Sequence, residues 1–180
     1  MSEAAFMTGL ERNAAVVEMA SYAPLFAHAD GWQWTPDLIW VDNLRSYGTP
    51  NYYVQKLYSN HKGTHVLSLT ENGSTVAGKD SLYASAAWDK NVNEVIVKVV
   101  NVSGKAQNHE LSLVGVKKME AIAKAFIMQN DNLSEVNSFE NATKVSPIEK
   151  DIAVDVKKKL VSLNLPAKSF IVYRIKVLDK

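Results

Sequence analysis

The apolar residues change their period near residue 63, and no other feature constrains the fold of this chain as much. Before that point the spacing is helical. Phe6, Leu10, Ala14 and Val17 recur every three to four residues and predict one stripe of a helix from about Glu3 to Tyr22. Pro24 helps to end it, because proline cannot continue the backbone ladder. Leu38-Ile39-Trp40-Val41, between Pro36 and Asp42, is a short continuous apolar run of the kind buried on both faces in a parallel sheet. Thr49-Pro50 reads as an N-cap followed by proline in the first helical position. Tyr53, Val54, Leu57 and Tyr58 carry that helix onward, and Gly63 is its expected stop. Helix, buried strand, helix is an α/β rhythm, yet a single such unit cannot close a parallel sheet. Residues 1–62 therefore read as the end of something larger.

After Gly63 the pattern is that of strands. Leu82 to Ala87, Val95 to Val102, Leu111 to Val114, Ala121 to Met128, Leu160 to Leu163 and Phe170 to Val177 are short runs of strand composition. Glu94 to Val99 and Ile171 to Val177 alternate clearly. Turn-forming clusters separate the runs: Glu71-Asn72-Gly73-Ser74, Trp88-Asp89-Lys90-Asn91, Ser103-Gly104-Lys105 and Gln129-Asn130-Asp131-Asn132. Short strands at this spacing predict an antiparallel β-sandwich over residues 63–180.

Charge and composition exclude some functions. Twenty basic residues against nineteen acidic ones leave a net charge of +1, which gives no reason to expect nucleic acid or an anionic membrane as a partner. The run Lys157-Lys158-Lys159 sits beside Asp155 and reads as a solvated strand end. No apolar run approaches the ~18 residues of a membrane span. Met1-Ser2-Glu3-Ala4 lacks the basic region and apolar stretch of a signal peptide. The absence of cysteine rules out disulfide and thiol chemistry but leaves the compartment open, periplasmic, secreted or cytoplasmic.

Catalytic chemistry is sparse. A glycosidase needs two carboxylates facing one bond. Asp37 and Asp42 bracket the apolar run, but an odd offset of five residues sends their side chains to opposite faces, roughly 16 Å apart along a strand. Asp42 alone could lie at the strand's carboxyl end, where barrel enzymes place their chemistry; a loop or helix-cap aspartate is the plainer reading. His61 and His65 are four apart, but Gly63 lies between them where the helix should have ended, and His28 and His109 have no neighbour at ligand spacing. No metal ligand set and no cofactor fingerprint is expected. Trp40 reads as core. Trp32 and Trp34, in a loop bounded by glycine and proline, are candidates for stacking on a sugar. Four N-x-[ST] triplets begin at Asn72, Asn101, Asn132 and Asn141; they matter only in a eukaryotic secretory pathway, and in an Asn-rich chain they read as chance.

Met19-Ala20-Ser21-Tyr22-Ala23-Pro24-Leu25-Phe26, preceded by Arg12-Asn13, resembles a recurring segment of the arabinofuranosidases of glycoside hydrolase family 51. So does the stretch Trp34 to Asn43, followed by Thr49-Pro50-Asn51-Tyr52-Tyr53-Val54-Gln55-Lys56-Leu57-Tyr58-Ser59. Leu82 to Ala86, Glu94 to Asn101 and Asn137 to Asn141 continue the likeness in the same order. The resemblance implies a (β/α)8 barrel followed by a jelly-roll-like β-sandwich. Residues 1–62 would be the barrel's last helix, strand and helix, and 63–180 the sandwich. It also implies retaining hydrolysis of terminal arabinofuranose from arabinan and arabinoxylan, performed by two glutamates on earlier barrel strands whose motifs have no counterpart here. Asp42 and Asn43, in the loop after the last barrel strand, are then the substrate-contact candidates, with Trp34 and Trp32 beside them. The expected partners are the catalytic barrel of the same polypeptide and, through it, the polysaccharide. Without that barrel, residues 1–60 should self-associate or lack order. Two other readings remain at this point: a self-standing carbohydrate-binding sandwich with Trp32, Trp34 or Trp88 as platform, and a protein-interaction module docked by its helices.

Overall fold

The computed structural model describes residues 1–178 of the chain. In order along the sequence its elements are α1 (Ser2–Arg12), β1 (Phe26–His28), β2 (Ile39–Val41), β3 (Ser46–Gly48), α2 (Pro50–Asn60), β4 (His65–Leu67), β5 (Thr70–Glu71), β6 (Ser74–Thr75), β7 (Leu82–Asp89), β8 (Glu94–Asn101), β9 (Gln107–Ser112), β10 (Ile122–Gln129), β11 (Ile148–Asp155), β12 (Leu160–Leu165) and β13 (Ser169–Lys176).

Eight strands form one curled antiparallel sheet in the order β4-β7-β8-β13-β10-β11-β12-β9. The curl has a local cause. β11 and β12 are joined by a tight turn yet pair only at Val154↔Val161 and Asp155↔Leu160, whereas β12 pairs with β9 along its whole length. The β9–β12 pair thus folds back over the rest. Leu111, Val161, Leu163 and Leu165 of this flap pack on Val95, Val97, Val99, Ile171, Tyr173 and Ile175 of the larger layer, giving the sandwich its interior. Burial of each such side chain contributes about 1.5–3 kcal/mol, so this interior is the main stabilising element of the fold.

The other face of β8, β13 and β10 is buried as well, under the two helices. Ile96, Val100, Phe170, Val172 and Met128 meet Ala4 and Ala5 of α1 and Val54, Leu57 and Tyr58 of α2. Tyr58 stacks on Phe170 with ring centroids 5.3 Å apart, and its hydroxyl donates to the Ala4 carbonyl at 2.8 Å. β8 is consequently covered on both sides. The N-terminus of α2 is built as its sequence demands: Thr49 is the N-cap, accepting the Tyr52 N–H, with proline in the first turn. Gly63 serves a purpose other than stopping the helix, which ends at Asn60. A β-carbon there would lie 2.5 Å from that of Ala87 and 2.9 Å from the Trp88 carbonyl oxygen, so glycine lets the chain press against β7.

Three expectations need correction. α1 ends at Arg12, not near Tyr22, and its buried face is Ala4, Ala5 and Thr8 rather than the stripe through Phe6, which stands 67% exposed. Small residues let the helix approach the sheet closely, and the larger ones are left outside. Leu38 is buried, but Ile39, Trp40 and Val41 are only half-buried. The segment between the helices holds three short strands instead of one. β2 runs parallel to β1 and antiparallel to β3.

Candidate functional site

The carboxyl ends of the parallel strands β1 and β2 lie side by side, with Ala27 opposite Trp40 and His28 opposite Val41. Two candidate residues follow directly: Asp42 and Asn43 form the turn from β2 into β3. Asp42 is spent on that turn. Its Oδ1 accepts the N–H groups of Leu44 at 2.8 Å and Arg45 at 2.6 Å, and its Oδ2 accepts Arg45 Nε at 2.9 Å. The Leu44 amide above all, with Arg45, holds its carboxyl below the usual carboxylate range. An anion so engaged is a turn cap with no lone pair aimed outward for proton transfer.

Asn43 is freer. Its Oδ1 lies 3.4 Å from His28 Nε2, while His28 Nδ1 accepts the Asp30 N–H at 3.2 Å. An acceptor at Nδ1 leaves the neutral ring protonated at Nε2, so His28 donates to Asn43. The amide nitrogen of Asn43 then points away from that bond. Sequence reasoning missed His28, since nothing in the spacing of residues 28 and 43 shows that parallel pairing joins them.

The aromatic candidates divide. Trp32 meets Trp40 edge to face at 5.8 Å, and Trp34 is 67% exposed. Trp88 lies elsewhere, on β7, where it packs against the sandwich interior and donates its indole N–H to Asn93. Asp37 is buried before β2, 2% exposed, with Oδ2 lacking a hydrogen-bond partner among the described residues. It is thus separated from Asp42 by the strand, in keeping with the failed carboxylate pair.

A loop of the sandwich braces this turn. Asn137 donates to the Gly48 carbonyl at 2.8 Å and exchanges bonds with Val145 at 2.7 and 3.1 Å. Phe139 packs edge to face on Tyr47 at 4.8 Å, and the Arg45 guanidinium lies 4.8 Å above the Phe139 ring. The histidines at the end of α2 diverge: His61 accepts from Arg174 at 3.2 Å, and His65 leans on Trp88. Among the described residues no cluster of three or more His, Cys, Asp or Glu is placed to hold a metal ion.

A parallel strand pair with its polar turn at the carboxyl ends, braced by a curled antiparallel sheet, makes the chain a mainly β domain that carries a small α/β appendage. Comparison with known proteins narrows that class. Residues 1–169 match the α-L-arabinofuranosidase C-terminal domain family, and the chain belongs to it. Alpha-L-arabinofuranosidase 1 of Arabidopsis thaliana is 34% identical over 176 residues, which cover 94% of this chain and 25% of that protein. An extracellular exo-alpha-L-arabinofuranosidase of Streptomyces chartreusis is 60% identical over 67 residues, 37% of this chain and 8% of that one. Among solved structures, the arabinose-bound MgGH51 α-L-arabinofuranosidase superposes with a TM-score of 0.84 at 29% identity, covering 97% of this chain and 26% of that one. The arabinose complex of the Thermotoga maritima enzyme, at 17% identity and a TM-score of 0.75, shares the fold. The chain spans about a quarter of the length of the Arabidopsis relative.

Proposed function

We propose that this chain is the accessory, non-catalytic part of an enzyme that releases terminal α-L-arabinofuranosyl residues from arabinan or arabinoxylan. Residues 1–62 are the final elements of its barrel and 63–180 its β-sandwich, with the two catalytic glutamates outside this chain.

The observation that carries this reading is the free edge of β1. This parallel strand pairs only with β2 among the described residues, and Phe26 on it is 60% exposed. Parallel strands occur almost only where both faces are covered, so a further strand and covering helices are what this edge lacks. The orphaned Asp37 oxygen agrees: a buried carboxylate is costly unless a donor meets it, and the missing barrel would supply one. Within the complete enzyme, Asn43 and Trp34 would face the sugar, Trp32 would set the loop through Trp40, and Asp42 would hold the turn. The purified chain, given a nitrophenyl α-L-arabinofuranoside, should release no nitrophenol above background. Turnover at an enzyme-like rate would end this reading.

A further inference from the structure

We propose that the β5–β6 hairpin is a lid over the interior of the sandwich, latched by His109 in its doubly protonated form and released as the pH rises. The hairpin pairs with no other strand among the described residues. Its turn residues Asn72 and Gly73 both have positive φ, 50° and 78°, which suits a self-contained two-residue hairpin. A two-stranded hairpin is marginal in water by itself, so contacts to its neighbours decide where it lies. Leu69 and Val76 flank it and pack on the sandwich interior. Between the hairpin and β9 is a cavity of about 300 Å³, lined by Leu82, Ala84, Val99, Leu163 and Leu165.

Glu71 of the hairpin reaches β9 through His109, whose Nδ1 lies 3.0 Å from Glu71 Oε1. The other ring nitrogen, Nε2, lies 3.1 Å from Gln107 Oε1. The Gln107 amide is fixed in that orientation. Its Nε2 donates to the Asp80 carbonyl at 3.1 Å and to Asn101 Oδ1 at 3.4 Å, and Asn101 Oδ1 is itself an acceptor of the Ser103 N–H. Both nitrogens of the His109 ring therefore face oxygens that only accept. A neutral imidazole has one N–H, and either tautomer sets a lone pair against an acceptor. The imidazolium alone donates to both, and its bond to the Glu71 carboxylate is charge-assisted.

Glu71 is the charged side chain that meets the ring. Glu110, next to His109 on β9, alternates to the other face of the strand. β12 sets Leu163 opposite His109 and carries no charged residue. The Lys79–Ser81 connection meets Gln107 through the Asp80 backbone. Histidine side chains change charge between about pH 5 and 8, so the latch is complete at the acid end and loses a bond at the basic end. The His109 and Glu71 side chains are 28% and 37% exposed, so their pairing has the modest strength of a surface ion pair and moves the hairpin without unfolding the sandwich.

The chain has no cysteine, so two can be introduced and spin-labelled cleanly. Thr75 on the hairpin and Asn108 on β9 are exposed and take no part in the latch, which makes T75C/N108C the labelled background. Double electron–electron resonance should give one short, narrow distance at about pH 5.5 and add a longer, broader one at about pH 8. The open-to-closed ratio should rise roughly fivefold between them. E71Q in the same background offers a neutral ring a donor for Nδ1 and should stay closed at the higher pH. H109L should be open at both. A distance distribution that ignores pH, an H109L chain that still shifts with pH, or an E71Q chain that opens like the labelled background would each overturn the proposal.

Discussion

The ammonium of Lys98, a side chain with no exposed surface, is paired with the carboxylate of Glu11 across the contact between α1 and the sheet. It also donates to the His61 carbonyl at 2.7 Å, and the Tyr58 ring lies 5.2 Å away. The other Glu11 oxygen accepts the Ser85 hydroxyl, while Arg12 donates to Thr8 and to the Ala84 carbonyl. Burial pulls the Lys98 ammonium below its ordinary range, and the Glu11 charge works against that pull. The helices are thus fastened to the sandwich by a polar plug in an otherwise apolar contact.

Removing one half of that plug should hurt more than removing both. Lys98→Met leaves the largely buried Glu11 carboxylate without its cation, and breaking a buried pair in this way costs about 3–5 kcal/mol. Glu11→Leu combined with Lys98→Met replaces the pair by apolar contacts and should cost less than Lys98→Met alone. Urea unfolding of the unaltered chain, Lys98→Met, Glu11→Leu and the double variant measures the difference. Additive losses would mean the two charges do not depend on each other.

His61 should make the fold sensitive to mild acid. Its Nδ1 accepts from Arg174, and its ring lies 4.3 Å from that of Phe126. Burial first, then the charges of Arg174 and Lys98, push its pKa down to about 4. The unfolded chain takes up this proton near the ordinary 6.5, so between about 6.5 and 4 it binds more protons than the folded chain. Stability from His61 is therefore complete above that window and drains away as the pH falls through it. His61→Gln, which keeps an acceptor for Arg174, should flatten the slope of Tm against pH there. A slope identical to that of the unaltered chain would assign the acid sensitivity to other groups.

Asn101 is fully buried and saturated. Its amide nitrogen donates to the carbonyls of Lys105, Leu165 and Pro166 at 2.8, 3.2 and 2.9 Å, and its oxygen accepts the Ser103 N–H at 3.0 Å. Asn101→Ala strands several of these groups at once, for a loss on the order of 3 kcal/mol. The same geometry separates the four sequons. In a eukaryotic secretory host, peptide mass mapping should find glycan only among Asn72, Asn132 and Asn141, which are exposed, and Asn101 bare. A glycan on Asn101 would mean that β8 is reached before it folds.

The strands read correctly from sequence are those whose one face meets the sandwich interior: β7, β8, β10, β12 and β13 each keep an alternating or continuous apolar run. β11 was illegible. Glu149, Lys150 and Asp151 interrupt it, and the structure leaves it exposed over most of its length, with Lys124 bridging Glu149 and Asp151. A strand held by backbone pairing and surface ion pairs has no apolar signature to read. Lys98 is hidden in the opposite way: alternation puts it on the face of Ile96 and Val100, and nothing local reveals that two helices cover that face. Of the candidate site, Asp42 and Asn43 were legible as a turn after an apolar strand. The contacts to His28 and Phe139 were not, because they depend on strand pairing and on a loop some ninety residues away.

The surface left open by residues 1–60 should drive self-association. Phe26, Trp34, Met19 and Val16 stand 60%, 67%, 87% and 82% exposed, and the outer edge of β1 has no neighbouring strand among the described residues. Exposed apolar side chains and an open strand edge are features through which chains pair with their own copies. Phe26→Lys places a charge on that edge without touching either buried layer, so it should weaken association while shifting Tm by little. Light scattering over a concentration series reads the outcome. A chain that is strictly monomeric at high concentration, with rapid hydrogen exchange absent from residues 13–48, would show that this segment closes on itself and needs no barrel to cover it.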